Sequence, residues 1–186
     1  MEKARCNTEL YSNLRAPLDN VKPSNFWGSH HLDGRVFYLR SMEQDEKYMK
    51  DALREAQMAA QEDEVPIGAI IICRGRIIGK GHNMTERLND PTAHAEMIAI
   101  TAATEAMGGK YLNDCTLYVT VEPCPMCAGA LAWSQIGRVV YGASDPKRGF
   151  STFTPSLMHP KTEIVSGVLA DECSCLVTEF FRNKRK

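Results

Sequence analysis

Nothing in these 186 residues is apolar for long enough to cross a bilayer, and the start, Met1-Glu2-Lys3-Ala4-Arg5, opens no secretory hydrophobic segment. The expectation is a protein without a membrane role. An excess of charge of one sign is also missing: the net charge is -1, so no global basic field advertises nucleic acid. Any such contact has to come from local patches. No internal repeat and no second domain are visible. The seven cysteines are an odd number, which suits thiols or metal ligands in a reducing cytoplasm better than a disulfide framework. What remains, 44% hydrophobic and 24% charged residues, is the composition of one globular domain with a sizeable core.

Residues 1–41 differ from the rest. They mix Asn, Ser, Pro and Gly with scattered aromatics and show no sustained period. They read as a poorly ordered extension, with a short strand conceivable near Val36 to Leu39, or as a start misplaced ahead of Met42. From 42 to 186 one domain is expected. Met49, Leu53, Ala56 and Ala60 form a helical stripe within 43–61. A strand over 65–73, a turn at Arg74-Gly75-Arg76 and a return strand over 77–82 follow, closed by Asn83. Residues 84–91 read as a polar loop. A helix over 93–107 ends at Gly108-Gly109, with His94 and Glu96 in its first turn. A strand over 116–121, a helix over 124–135 with both its cysteines in the first turn, and a strand over 138–142 come next. A long loop over 144–160, a short strand over 163–166 and a helix over 170–182 complete the chain. The alternation implies an α/β fold with helices packed on a sheet.

The chemistry is concentrated in Thr92-Ala93-His94-Ala95-Glu96 and Glu122-Pro123-Cys124-Pro125-Met126-Cys127. One imidazole and two thiols supply three ligands to a tetrahedral zinc, and three protein ligands leave the fourth position open, as in catalytic sites. Zinc lowers the pKa of a bound water to about 7. A structural zinc module would need a fourth Cys or His, and a redox motif only the cysteine pair. Helix N-termini favour thiolate over thiol. Cys6, Cys73, Cys115, Cys173 and Cys175 have no competing ligand spacing and read as core or incidental.

His-x-Glu followed by Pro-Cys-x-x-Cys is the signature of the zinc deaminases, and the chain resembles the cytidine and nucleotide deaminase superfamily. The run Asn89-Asp90-Pro91-Thr92-Ala93-His94-Ala95-Glu96 and the stretch Leu169-Ala170-Asp171-Glu172-Cys173 narrow the resemblance. With Val65 to Ala69, Gly81 to Asn83 and Tyr141 to Lys147, they make residues 43–186 similar to bacterial tRNA-specific adenosine deaminases. The resemblance implies a three-layer α/β/α, cytidine-deaminase-like fold with a five-stranded mixed sheet. It implies a homodimer, one zinc per protomer, and conversion of adenosine to inosine at the wobble position of the tRNA anticodon loop. The 1–41 extension has no counterpart in the family pattern, and the loop over 149–160 looks shorter than in some members.

On this reading His94, Cys124 and Cys127 hold zinc and Glu96 shuttles protons. Asn83, otherwise a turn residue, contacts a base edge. Asp145, otherwise a turn carboxylate before Pro146, lies near the flipped nucleotide's sugar. Lys147 and Arg148 hold phosphates or are ordinary surface charge. Phe180, Phe181 and Arg182 open an aromatic and basic tail suited to a single strand, with one Phe buried and the other near RNA. The alternatives are a free-base or nucleoside deaminase acting on guanine or cytosine, and a non-catalytic RNA-binding module with structural zinc.

Overall fold

The computed structural model describes the backbone of residues 33–185 and the side chains from residue 41 onward. The part of the expected extension that precedes Asp33 lies outside the described residues. Helix α1 (Asp33–Gln61) starts well before the apolar stripe does, so the strand conceived near Val36 to Leu39 is helix instead. Its β-branched and aromatic residues favour a strand only weakly, and no turn separates them from the helix that follows. Strands β1 (Gly68–Cys73) and β2 (Arg76–His82) form the expected hairpin. Arg74 and Gly75 both have positive φ, the conformation a two-residue hairpin turn demands.

One helical turn, α2 (Thr85–Leu88), occupies the segment expected to be a loop. Helix α3 (Ala95–Met107), strand β3 (Cys115–Val121), helix α4 (Pro125–Trp133) and strand β4 (Arg138–Ala143) follow. Strand β5 (Glu163–Ser166) and helix α5 (Ala170–Lys184) close the fold. The expected loop over 144–160 contains a 3-10 turn at Phe150–Thr152.

The five-stranded sheet has the order β2-β1-β3-β4-β5. β1 is antiparallel to β2 and β3, whereas β3, β4 and β5 are parallel, so the sheet is mixed as expected. Alternation along the strands sends Ile71, Leu117 and Val139 to one face, under α3 and α4. It sends Ile70, Tyr118 and Val140 to the other, under α1 and α5. Three layers result.

Helix α3 reaches its place because both partners are small. Ala95, Ala99 and Ala103 recur every four residues and are fully buried. They face Gly79 and Gly81 of β2, where an added Cβ would come within 2.4 Å of a helix carbonyl oxygen. The close approach sets the start of α3 over one end of the sheet. The C-terminal end of β3, which leads into α4, lies at the same pole.

Candidate metal centre and active site

Two helix starts converge at that pole. His94 is the N-cap residue of α3 and Cys124 that of α4, while Cys127 sits in the first turn of α4. The expected helix starts therefore move inward, leaving His94 and Cys124 with extended backbone. Pro123 and Pro125 bracket Cys124, and Pro125 suits a first helical position. Neither side chain makes a capping bond, and His94 and Cys124 face one point. For α3 the missing cap is supplied across the chain: the Ala95 amide donates to Asn83 Oδ1 at 3.2 Å.

The His94 Nδ1 to Cys124 Sγ and Cys127 Sγ distances are 3.7 and 3.6 Å. All three ligand atoms lie within 4.8 Å of one another. Bonds of about 2.3 Å to sulfur and about 2.0–2.1 Å to nitrogen at tetrahedral angles put ligand atoms about 3.6 Å apart. The two His94 edges thus have the length that zinc requires, and the edge between the sulfurs is within 4.8 Å. Its charge balance agrees. Hydrogen bonding from Cys127 and from His94 pulls the Cys124 thiol down to about 4, against the cost of burial. The contact with Cys124 and burial push Cys127 far up, so one negative charge is shared by two sulfurs. His94 is raised, first by its bond to Cys124. A dication held by these three residues would favour two thiolates.

Glu96 sits in the first turn of α3 and is buried, 4% exposed. Burial raises its carboxyl to about 6, and the charge of Cys124 adds to the effect. It borders a cavity of about 640 Å³ together with His94, Cys124, Asn83 and Val121. That is within the usual 300–1,000 Å³ of small-ligand sites, roughly, and large enough for a nucleoside.

Of the other expected residues, Asp145, Lys147, Arg148 and Phe181 also line this cavity. Asn83 is buried and its Oδ1 is engaged by Ala95, which leaves its amide nitrogen to donate toward the cavity. Phe180 faces a neighbouring groove of about 870 Å³, beside Arg87 and Lys184. The groove and the cavity share Val65 and Phe181 as a common wall. The expectation of one buried Phe is corrected: Phe181 is 41% exposed and Phe180 half-buried, packed edge-to-face against each other near the C-terminal end of α5. Arg182 lines neither space and pairs with Glu179 at 3.5 Å.

Two carboxylates at the site were not anticipated. Glu122 accepts from the amides of Asp145 and Ser151, each at 2.9 Å, and pins the loop carrying Asp145, Lys147 and Arg148. Gly149 is needed there, because a Cβ would stand 2.3 Å from the Glu122 carboxyl. Glu64 accepts from Thr85 Oγ1 and the Arg87 amide, and pins α2 beneath the rim. The only signal in the sequence was Glu122's place in the Glu-Pro-Cys run.

Residues 42–143 match the family model for the cytidine and deoxycytidylate deaminase zinc-binding region. The chain belongs to this family of zinc-dependent deaminases. Within it, the chain is similar to the tRNA-specific adenosine deaminase of Bacillus subtilis (strain 168), 47% identical over 150 residues, which are 78% of this chain and 93% of that protein. A solved structure from a study of A-to-I editing by tRNA:A34 deaminases matches with a TM-score of 0.66 and 42% identity, covering 70% of this chain and 98% of the other. A guanine deaminase structure from Bacillus subtilis matches with a TM-score of 0.51 and 42% identity, over 53% of this chain and 64% of that one.

Proposed function

We propose that this protein deaminates adenosine to inosine hydrolytically at the wobble position of the tRNA anticodon. The observation that carries the reading is a buried Glu96 beside the His94, Cys124 and Cys127 triangle, at a cavity of nucleoside size. The similarity to tRNA-specific adenosine deaminases supports the choice of substrate.

Zinc bound by His94, Cys124 and Cys127 supplies a Lewis acid that makes water a nucleophile near neutral pH. Glu96 accepts the proton from the water that adds to C6 of adenine and delivers it to N1. It then carries the second proton to the departing amino group, and ammonia leaves. Burial holds the Glu96 carboxyl above its ordinary range, which favours its taking up a proton. The Asn83 amide donates to the base edge and orients it. Asp145 holds the ribose of the flipped nucleotide. Lys147 and Arg148, both exposed at the rim, hold phosphates. Phe181 and Phe180 offer faces for bases on either side, so the groove continues the RNA path beyond the cavity. Arg182 contributes long-range attraction only.

A base within a duplex is out of reach, whereas an anticodon loop gives up its base cheaply. The working unit is a homodimer in the cytoplasm. Among the described residues no helix is long and apolar enough to cross a membrane. The deaminase domain spans 42–186 and residues 1–41 stand outside the catalytic unit.

Incubation of the zinc-loaded protein with total tRNA, followed by inosine mapping, tests the substrate. Inosine at position 34 is the expected product. Turnover of free guanine with unmodified tRNA would replace this reading with the free-base one.

A further inference from the structure

Two cysteines far from the metal face each other across adjacent strands. Cys73 ends β1 and Cys115 begins β3, and the two are direct partners in the antiparallel register. The Cys115 amide donates to Leu112 at 2.9 Å and is therefore not used for a bond back to Cys73. The pair is then of the narrow, non-hydrogen-bonded kind, with Cα atoms about 4.5 Å apart. Disulfides span Cα separations of about 4.4–6.8 Å, so the two thiols can join without moving the strands, at the tight end of that range. The side chains already touch: the Cys73 thiol acts on that of Cys115 by hydrogen bonding, second only to burial. Both residues are free thiols, 7% and 2% exposed.

We propose that Cys73 and Cys115 form a reversible oxidation site, a cross-strand dithiol that a hydroperoxide converts to a disulfide. Cys73 reacts first. It is the more exposed and abuts the hairpin turn, whereas burial pushes the Cys115 thiol up to about 12. The Cys73 sulfur attacks one peroxide oxygen, the O–O bond breaks, and water leaves behind a sulfenic acid. The Cys115 sulfur then attacks the Cys73 sulfur, releases a second water and closes the S–S bond. Each sulfur gives up one electron and one proton, and the peroxide is reduced to two waters. A disulfide at the tight end of the permitted geometry is strained and readily reduced, which suits a reversible modification.

The bond would tie off residues 73–115, the segment that carries β2, α2 and α3 with His94 and Glu96. It lies at the opposite end of β3 from Val121, about 20 Å away at about 3.3 Å per residue. The effect falls on stability and not on the metal.

Zinc-loaded full-length protein is treated with stoichiometric hydrogen peroxide, alkylated under denaturing conditions and digested for mass mapping. The expected product is one cross-linked pair of peptides holding Cys73 and Cys115, lighter by two hydrogens and released by dithiothreitol. Zinc content and deamination rate should stay within about twofold, and the thermal midpoint should rise by roughly 5 °C or more. Cys73→Ala should lose both the cross-link and the thermal shift. Full alkylation of both cysteines, a bridge from either to another cysteine, or a thermal shift that survives in Cys73→Ala would overturn the proposal. The mapping on the parent chain decides the matter alone if the variant does not fold.

Discussion

The sheet carries a buried polar cluster at each end, and the two differ in what their groups bond to. At the far pole the Asp45 carboxylate accepts from Tyr118 at 2.7 Å and from both arms of the Arg138 guanidinium at 2.7 and 2.8 Å. Arg138 also reaches Glu163 at 3.2 Å. The result shows in Tyr118, whose phenol is pushed well above its usual range by burial and by the bond to Asp45. Every strong group has a partner, and helix α1 is fastened to β3, β4 and β5. At the opposite pole the three candidate ligand atoms converge on a point between them, and the Glu96 carboxyl is in hydrogen-bond contact with the Cys127 thiol. Glu122 and Glu64 accept two bonds each and hold loops. Partners separate these buried carboxylates: Glu122 and Glu64 hold backbone amides of loops, whereas Glu96 meets a thiol of the proposed metal site.

The largest effect should come from emptying the convergent point. A Cys124→Ala, Cys127→Ala double variant should bind no zinc and show no measurable turnover, by metal analysis and tRNA assay. Retained zinc would show that the triangle is not the metal centre. At the other pole, Asp45→Ala strands the Arg138 charge. It should cost about 2–4 kcal/mol in denaturant unfolding, near the lower end for a broken buried pair because Arg138 keeps some solvent contact. The variant should leave kcat unchanged at 25 °C. A fall in kcat without a fall in stability would break the contrast.

Glu122→Gln retains one acceptor for two amides. It should loosen the 145–151 loop, raise protease sensitivity there and lower kcat/KM about tenfold, about 1–3 kcal/mol for an unmet bond, with zinc intact. An unchanged loop and unchanged kinetics would remove its pinning role. The smallest effect is expected from starting the chain at Met42, which leaves both poles in place. Turnover should stay within about twofold of the full chain, and a folded, zinc-loaded but inactive truncation would place the extension in the site.

The convergence of His94, Cys124 and Cys127, with Glu96 beside them, was legible because their identity and spacing are local. Two residues between the cysteines and one between His94 and Glu96 already fix which side chains share a helix start. The hairpin was legible for the same reason, through Arg74-Gly75. The roles of Glu122 and Glu64 were not, since their partners lie more than twenty positions away in loops without a period. The assignment of Phe180 and Phe181 was out of reach too. One step along a helix turns a side chain by about 100°, and only the packing of α5 decides which ring meets the cavity. The early start of α1 was hidden because its first turns carry no apolar stripe.

The central claim is that Glu96 moves protons, and Glu96→Gln tests it most directly. The amide keeps the shape and polarity of the side chain and cannot carry the proton. Single-turnover deamination at saturating tRNA, with zinc content verified, should fall by about 10²-fold or more, the scale of general acid–base catalysis. Zinc, fold and RNA affinity should be unchanged. A rate within about threefold of the parent would contradict the claim and reduce Glu96 to another buried carboxylate at a helix start.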